Sequence, residues 1–247
     1  MELGPSANAG STTAPQRGRF FANSSLLVAA LVFASFPLTY YLPVATGSRH
    51  FAPILHIHGV IFFSWAVLYA WQSHLVAKGD VAKHRELGLA GIAVSALMLP
   101  LGVIATVEAI GRRKQAGDPT PYDFAFYNLL DIALFSVLMV AGIAAVTRNR
   151  EWHRRFIYGA ALCLLSPAFS RWTLRLAWPL PWGDWVVYVF DVLLIALALH
   201  DRRVLGRIHP ATWCTIALLI PLHIAGPFLA YSEWWRTIAP SIFNLMH

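Results

Sequence analysis

Long apolar runs separated by short polar connections make up the chain from residue 20 to residue 235. A helix rises about 1.5 Å per residue, so about 20 apolar residues cross the roughly 30 Å hydrocarbon core of a bilayer. The pattern therefore predicts an all-α fold, a polytopic membrane bundle of seven transmembrane helices. The predicted helices cover residues 20–42, 51–79, 84–110, 122–147, 153–177, 184–200 and 209–234.

The two ends of the chain differ from these runs. Residues 1–19 are rich in Ser, Thr, Ala, Gly and Pro and contain no apolar core, which is typical of disorder. Residues 236–247 follow the last apolar run. The sequence thus predicts a disordered N-terminal tail at 1–19, a seven-helix transmembrane domain at 20–235 and a short interfacial C-terminal segment at 236–247.

Composition supports the membrane class. Hydrophobic residues make up 57% of the chain and charged residues 13%, and the mean hydropathy is +0.57, outside the range of soluble globular domains. The net charge of +7 would suit a nucleic-acid partner, but the basic residues lie in short clusters between apolar runs. Such clusters are typical of membrane proteins, so we expect a lipid bilayer as partner and no nucleic acid.

The distribution of Lys and Arg predicts an orientation. Basic residues are more frequent in the tail and in the second, fourth and sixth connections than on the opposite side. Because cytoplasmic loops carry the excess of Lys and Arg, the N-terminus should be cytoplasmic and the C-terminus outside. We expect a multi-pass protein of the cell inner membrane.

A weak internal repeat divides the chain into one helix plus three helical hairpins. The first helix of each hairpin carries a polar residue in its outer half, and the second begins at a His and contains a Pro in its middle. In order, the polar residues are His58, Asp131 and Asp191, the histidines are His84, His153 and His209, and the prolines are Pro100, Pro167 and Pro221. Repeat interfaces hold the functional sites of many membrane proteins.

Five polar residues in the predicted outer half are candidate metal ligands or proton carriers: His56, His58, Asp131, Asp191 and His223. Imidazole and carboxylate groups bind zinc, iron or copper, and His titrates near neutral pH. His56 and His58 point about 200° apart on a helix, so we expect only one of them to face the site. Each Asp should face protein, because a charge at the centre of a span costs about 2.5–3.5 kcal/mol on insertion scales.

A purely structural role is the alternative for the two aspartates. Asp131 and Asp191 would pair with Arg171 and Arg175 and lock three helices together.

A second group of histidines lies at the predicted cytoplasmic ends: His74, His84, His153 and His200. Two such side chains on facing helices would ligate a haem, with neighbouring arginines binding its propionates. The alternative is that these side chains reach anionic headgroups and cap helix ends.

The segments HIHGVIFFSWAVLYAWQSHLVAKG, AKHRELGLAGI and EWHRRF resemble a set of bacterial seven-helix membrane proteins of unknown function. This resemblance covers the second to seventh predicted helices and implies the same fold. The scattered helix-end histidines are more loosely similar to small membrane proteins that attend haem-copper oxidase assembly. That similarity implies haem or copper chemistry and respiratory-chain or other membrane-protein partners, although no residue-by-residue motif carries over.

These observations favour a metal- or haem-binding membrane protein, redox-linked or acting in assembly. A transporter or channel for a small ion or solute and a purely structural assembly factor are the alternatives. No Walker loop, GxSxG or HExxH motif occurs, which removes the common NTPase, hydrolase and zinc-protease motifs but leaves enzyme activity open.

Overall fold

The structure is a computed structural model that describes residues 13–176 and 183–244. Helices fill almost all of these residues, and none of them forms a strand. The helices are α1 (Thr13–Ala34), a π-helical turn (Pro37–Tyr41), α2 (Leu42–Ala45), α3 (Pro53–Ala77), α4 (Val81–Gln115), α5 (Asp123–Ala145), α6 (Arg150–Leu162), α7 (Leu165–Leu176), a 3₁₀ helix (Gly183–Asp191), α8 (Val192–Leu205), α9 (Pro210–Ala230) and α10 (Glu233–Asn244).

Local chemistry sets several helix boundaries. The side chains of Asp80, Asn149 and His209 accept hydrogen bonds from backbone N–H groups in the first turns of α4, α6 and α9, which satisfies donors that have no partner inside the helix. Gly79 and Gly206 follow the ends of α3 and α8 with φ of 83° and 72°. Glycine adopts this left-handed conformation without steric cost, so the chain can reverse there.

Five helical segments in the described part of the chain are long and apolar enough to cross a membrane: Gly18–Ala45, Pro53–Ala77, Val81–Gln115, Asp123–Ala145 and Pro210–Ala230. The predicted count of seven is not confirmed. The fifth predicted span is broken into α6 and α7 at residues 163–164, and the sixth joins a 3₁₀ helix to α8. The multi-pass membrane class is retained, since these helices expose large apolar side chains such as Leu89, Val140 and Phe228 at 75%, 68% and 66%.

The helices pack in sequence order. α3 packs against α4 and α1, α5 packs against α4 and α6, and α9 contacts α5 and α6 more extensively than α8. Because the spans alternate in direction, the connections gather at two ends. We call residues 78–80, 146–149 and 206–209 the basic end, and residues 46–52, 116–122 and 231–232 the cavity end.

The chain termini partly follow expectation. α1 begins at Thr13, inside the predicted tail, whereas residues 1–12 lie outside the described residues. α10 covers most of the predicted C-terminal segment and buries Trp235, Ala239 and Phe243 in a cluster with Ile110 and Ala125. Residues 245–247 also lie outside the described residues.

Close helix packing depends on a small residue at position 159. A Cβ at Gly159 would lie 2.5 Å from Cγ2 of Thr215 and 3.3 Å from Cδ1 of Leu138. We expect Gly159→Ala to lower the melting temperature in detergent, because overpacking costs about 1–3 kcal/mol and Ala gains only about 1 kcal/mol over Gly within a helix. Gly111→Ala is the control, since a Cβ there meets nothing within 4 Å. Equal melting temperatures for both variants would contradict the tight α6–α9 contact.

Candidate functional site

Asp131, Asp191 and His223 come together in the bundle interior, and we call them the Asp–His cluster. Nδ1 of His223 lies 2.8 Å from Oδ2 and 3.0 Å from Oδ1 of Asp191. Because an ionised carboxylate can only accept, Nδ1 donates this hydrogen bond when Asp191 is charged. Asp131 lies close enough to interact electrostatically with both residues. As predicted from its insertion cost, Asp131 is buried, with 4% of its surface exposed.

The Asp–His cluster lies where two helices are interrupted. Asp191 ends the 3₁₀ helix at its junction with α8. Cys163 lies in the break between α6 and α7 and Ser166 in the first turn of α7, and both are close to Asp131. Irregular backbone at membrane depth is tolerated only where it is buried in protein or lines a cavity, and transporters use such interrupted helices at their binding sites.

Four polar atoms at the Asp–His cluster are buried without a hydrogen-bond partner among the described residues. They are both carboxylate oxygens of Asp131, Nε2 of His223 and the hydroxyl of Tyr188. The Tyr188 ring stacks on the His223 imidazole with a centroid distance of 4.2 Å. Buried polar atoms are nearly always satisfied in folded proteins, so this arrangement is suited to take up a proton, a water molecule or a ligand group.

Tyr188 was missed by the sequence analysis. It precedes Asp191 by three residues, and in a 3₁₀ helix side chains at i and i+3 lie above one another. The aromatic run that follows Gly183 is the only sequence signal for this residue, and it also fits an interfacial aromatic belt.

A cavity of about 850 Å³ extends from the cavity end to Asp131. Exposed residues such as Arg49 and Thr120 line its mouth, and Asp131, Cys163 and Ser166 line its inner part. Most of the remaining wall is apolar and aromatic, with Phe36, Phe51, Phe62, Phe63 and Phe124 among its residues. Cavities of this size and polarity are typical of sites for small molecules.

Arg171 and His58 line the same cavity. The Arg171 guanidinium carbon lies 4.2 Å from the centroid of the Phe36 ring, and no carboxylate of the described residues forms an ion pair with it. His58 packs on Phe62 with a ring-centroid distance of 4.0 Å and interacts electrostatically with Arg171. The expected pairing of Arg171 with Asp131 or Asp191 is therefore wrong, and the Arg175 side chain lies outside the described residues.

The five predicted metal ligands thus separate into three places. Asp131, Asp191 and His223 form the Asp–His cluster, His58 lies beside Arg171, and His56 hydrogen-bonds through Nδ1 to the Tyr40 hydroxyl. Only His58 of the neighbouring pair lines the cavity; the helical spacing predicted that one of the two would face the site but did not say which. In the part of the chain that the structure describes, no three His, Cys, Asp or Glu side chains are placed to hold a metal ion.

The four histidines predicted to bind haem do not form one site. His84 and His153 are neighbours, with ring centroids 6.4 Å apart, and Nδ1 of His153 lies 2.9 Å from the Gly142 carbonyl oxygen. Nδ1 of His74 lies 2.8 Å from the carbonyl oxygen of Ala70 in its own helix. His200 instead stacks on Phe20 at 4.2 Å. Of these four histidines, the structure brings only His84 and His153 together.

A buried ion-pair network closes the basic end and was not anticipated. Nε of Arg155 donates to both carboxylate oxygens of Asp201 at 3.1 Å, and Arg155 also pairs with Glu151. Oδ2 of Asp201 accepts hydrogen bonds from the His209 backbone and the Thr212 hydroxyl. Arg155 and Asp201 are 2% and 0% exposed. The network, which we call the basic-end latch, joins α6, α8 and α9.

The His209 side chain belongs to this end as an N-cap. Its Nδ1 accepts a hydrogen bond from the Ala211 N–H at 3.1 Å, which requires an unprotonated nitrogen. Burial lowers the pKa of His209, and the neighbouring Arg155 charge acts in the same direction. The neutral cap is therefore favoured near neutral pH.

Comparison with known proteins assigns no family. No protein-family model, curated protein or solved structure matches the chain. The described residues form an all-helical fold in which five helical segments are long and apolar enough to cross a membrane, as in a multi-pass membrane protein. A large cavity among them reaches the Asp–His cluster.

Proposed function

We propose that the protein is a transporter for a small solute, coupled to protons through Asp131. The observation that carries this proposal is the position of Asp131. Its buried carboxyl makes no close hydrogen bond among the described residues, although the Ser166 hydroxyl lies near it, and it is on the wall of a large cavity beside two interrupted helices. An ionised carboxylate is costly there unless it is compensated, so Asp131 exchanges a proton or a bound partner as the site fills.

The rest of the architecture suits one-sided access. The cavity is lined at its mouth by residues of the cavity end, while the basic-end latch holds α6, α8 and α9 together at the other end. Alternating access requires that one side be closed while the other is open. We therefore assign the structure to the outward-open state of the proposed transporter, with the N-terminus cytoplasmic and the cavity facing away from the cytoplasm.

The test of the proposed transport is solute-driven proton movement. Protein reconstituted into vesicles that enclose a pH-sensitive dye should acidify or alkalinise the lumen when a transported solute is added outside. If no solute drives proton movement, the protein is better explained as a purely structural assembly factor. Such a protein would still bind its partner in the cell.

The proposed orientation is tested by cysteine labelling. Cys163 is buried and Cys214 is exposed, so Cys214→Ser gives an unreactive background. In that background Lys78→Cys and Arg148→Cys, at the exposed basic end, should be protected from a membrane-impermeant maleimide in intact cells. Ser48→Cys and Pro119→Cys, at the exposed cavity end, should react. Labelling of the first pair alone would reverse the orientation.

A metal or haem centre is the second candidate, and the His223–Asp191 contact favours it. Metal-bound histidines almost always donate their other ring N–H to a carboxylate or carbonyl, and this contact leaves Nε2 of His223 without a partner. A transition metal at this position would be bound by Nε2 of His223 and the Asp131 carboxylate, and its other ligands would come from outside these two residues. This candidate retains the redox-linked role and the respiratory-chain partners proposed from sequence.

This candidate predicts colour or metal in the purified protein. Protein from cells supplied with haem and metals should show a Soret band or near-stoichiometric copper, iron or zinc, and His223→Ala should remove it because the only unpartnered imidazole nitrogen of the Asp–His cluster is lost. His50→Ala is the control, since His50 lies in an exposed loop. Colourless, metal-free protein would eliminate the candidate.

A further inference from the structure

We infer that the cavity binds an organic anion with an apolar body, whose charged group is held by Arg171 and His58. The inference rests on the proposed function, because it names the chemical class of the solute. It begins from Arg171, a cavity-lining cation inside a membrane protein whose Nε has no hydrogen-bond partner among the described residues. The Arg171 side chain is partly buried. A charge withdrawn from bulk water in this way needs a compensating charge, and no carboxylate of the described chain supplies one.

Phe36 presents the Arg171 guanidinium to the cavity. The ring lies 4.2 Å from the guanidinium carbon and occupies one face of this planar group. A guanidinium can stack on an aromatic ring and still donate from its edge to a carboxylate or phosphate in a bidentate way. The His58 ring is near both the Arg171 charge and the Leu101 carbonyl, and its Nδ1 has no hydrogen-bond partner among the described residues. The two side chains thus form a pole of hydrogen-bonding groups.

The acidic groups near the mouth are already engaged. Asp123 pairs with Arg236 at 2.9 Å, and Asp118 pairs with Arg113 at 3.0 Å. Asp184 accepts hydrogen bonds from the Tyr127 and Tyr231 hydroxyls. Arg49, in contrast, lies with its guanidinium carbon 5.1 Å from the centroid of the Phe51 ring and forms no ion pair with a carboxylate of the described residues. Asp184 has no cationic partner among the described residues, so the mouth carries charges of both signs. The Arg171 pole, deeper in the cavity, is the positive site that favours an anion.

Asp131 does not oppose this assignment. Its carboxylate interacts electrostatically with His223 and Asp191, whereas no carboxylate of the described residues forms an ion pair with Arg171. The cavity consequently has an anion-binding pole at Arg171 and a separate proton-exchanging pole at Asp131. Between and around them, the aromatic residues Phe36, Phe62 and Phe63 provide apolar surface. A ring or alkyl chain can bury against these walls while its acidic group binds Arg171.

The ligand chemistry is tested with a matched pair of probes. 2-Naphthoate and 2-naphthamide share one aromatic body, and only the first carries a charge. Binding to full-length protein in mild detergent, measured by calorimetry, should be at least about tenfold tighter for naphthoate, a factor that corresponds to about 1.4 kcal/mol. Equal affinity for the two probes, or no binding of either, would overturn the inference.

Substitutions then locate the anion site. Arg171→Gln should abolish the preference for naphthoate, and Arg171→Lys should retain part of it because the charge remains without the planar fork. Arg85→Gln, which removes one exposed positive charge outside the cavity, should leave the preference unchanged. If Arg171→Gln does not fold, Ala109→Trp supplies the second test, because Ala109 lines the cavity and the larger ring should block naphthoate. Unchanged binding to Ala109→Trp would contradict the cavity site.

Two further arms separate the sources of the anion and the two proposals. In lipid nanodiscs, competition from phosphatidylglycerol against naphthoate would assign the site to a lipid headgroup, and absence of competition would assign it to a water-soluble anion. Naphthoate preference without any solute-driven proton movement would remove the transport proposal and leave the anion site. Proton movement driven by uncharged solutes alone would support the transport proposal and remove the anion site.

Discussion

Removing Asp201 from the Arg155–Asp201 pair is expected to destabilise the protein by about 3 kcal/mol, because it leaves the buried Arg155 with only the partly exposed Glu151 as a compensating charge. Asp201→Ala deprives Arg155 of two Nε contacts at 3.1 Å and an Nη2 contact. It also leaves the Thr212 hydroxyl and the His209 N–H without their acceptor. The measurement is thermal and denaturant unfolding of the purified protein in one detergent.

A double substitution provides the control for this prediction. Arg155→Met with Asp201→Leu removes both charges and keeps similar volumes, so it should recover much of the loss, since replacing a buried ion pair by packed apolar residues is often nearly neutral. Asp118→Ala, which removes an ion pair with the partly exposed Arg113, should cost about 1 kcal/mol or less. A loss at Asp201→Ala as small as that at Asp118→Ala would show that the basic-end latch does not hold α6, α8 and α9 together.

Replacing Asp131 by Asn should uncouple protons from solute while preserving the fold. Asn has the shape of Asp but cannot exchange a proton, and the Ser166 hydroxyl near the Asp131 carboxylate can also donate to the Asn amide oxygen. We expect solute-driven proton flux to fall by at least about tenfold, equivalent to about 1.4 kcal/mol in the barrier. Binding of naphthoate, which depends on Arg171, should persist in the variant.

The control for this second prediction is Glu86→Gln. Glu86 is exposed on α4 near the basic end, so the variant removes an equal charge without touching the cavity. Its flux should match that of the unmodified protein. Loss of naphthoate binding together with flux in Asp131→Asn would assign Asp131 to ligand binding and contradict the separation of the two poles.

The sequence predicted the helical membrane class because that class depends on local composition. An apolar run long enough to span a bilayer is visible in one segment, whatever its neighbours are. A polar cluster of five residues was also predicted, since buried charges in spans face the bundle interior and seek partners. The structure brings three of them together, Asp131, Asp191 and His223, but not His56 and His58. The exact partner of each residue was not predicted. Whether Asp191 contacts His223 or Arg171 depends on how each helix is rotated about its axis, which the sequence does not specify.

Features that depend on non-local contacts escaped prediction. Arg155 and Asp201 are separated by 46 residues, and their pairing follows from the placement of α6 against α8. The break at residues 163–164 precedes Pro167, but a proline alone does not decide between a kink and an interruption. Similarly, the four helix-end histidines share a depth in the sequence pattern, whereas their side chains find different partners in the fold.

The central claim is that the cavity and Asp131 move a solute together with a proton. The most direct test is proton flux into vesicles that contain the purified protein and a pH-sensitive dye, driven by an inward gradient of 2-naphthoate and related aromatic and alkyl carboxylates. At least one of these anions should drive a pH change that is absent from empty vesicles and is abolished by Asp131→Asn. Vesicles in which Asp131→Asn and the unmodified protein give the same pH change would contradict the account.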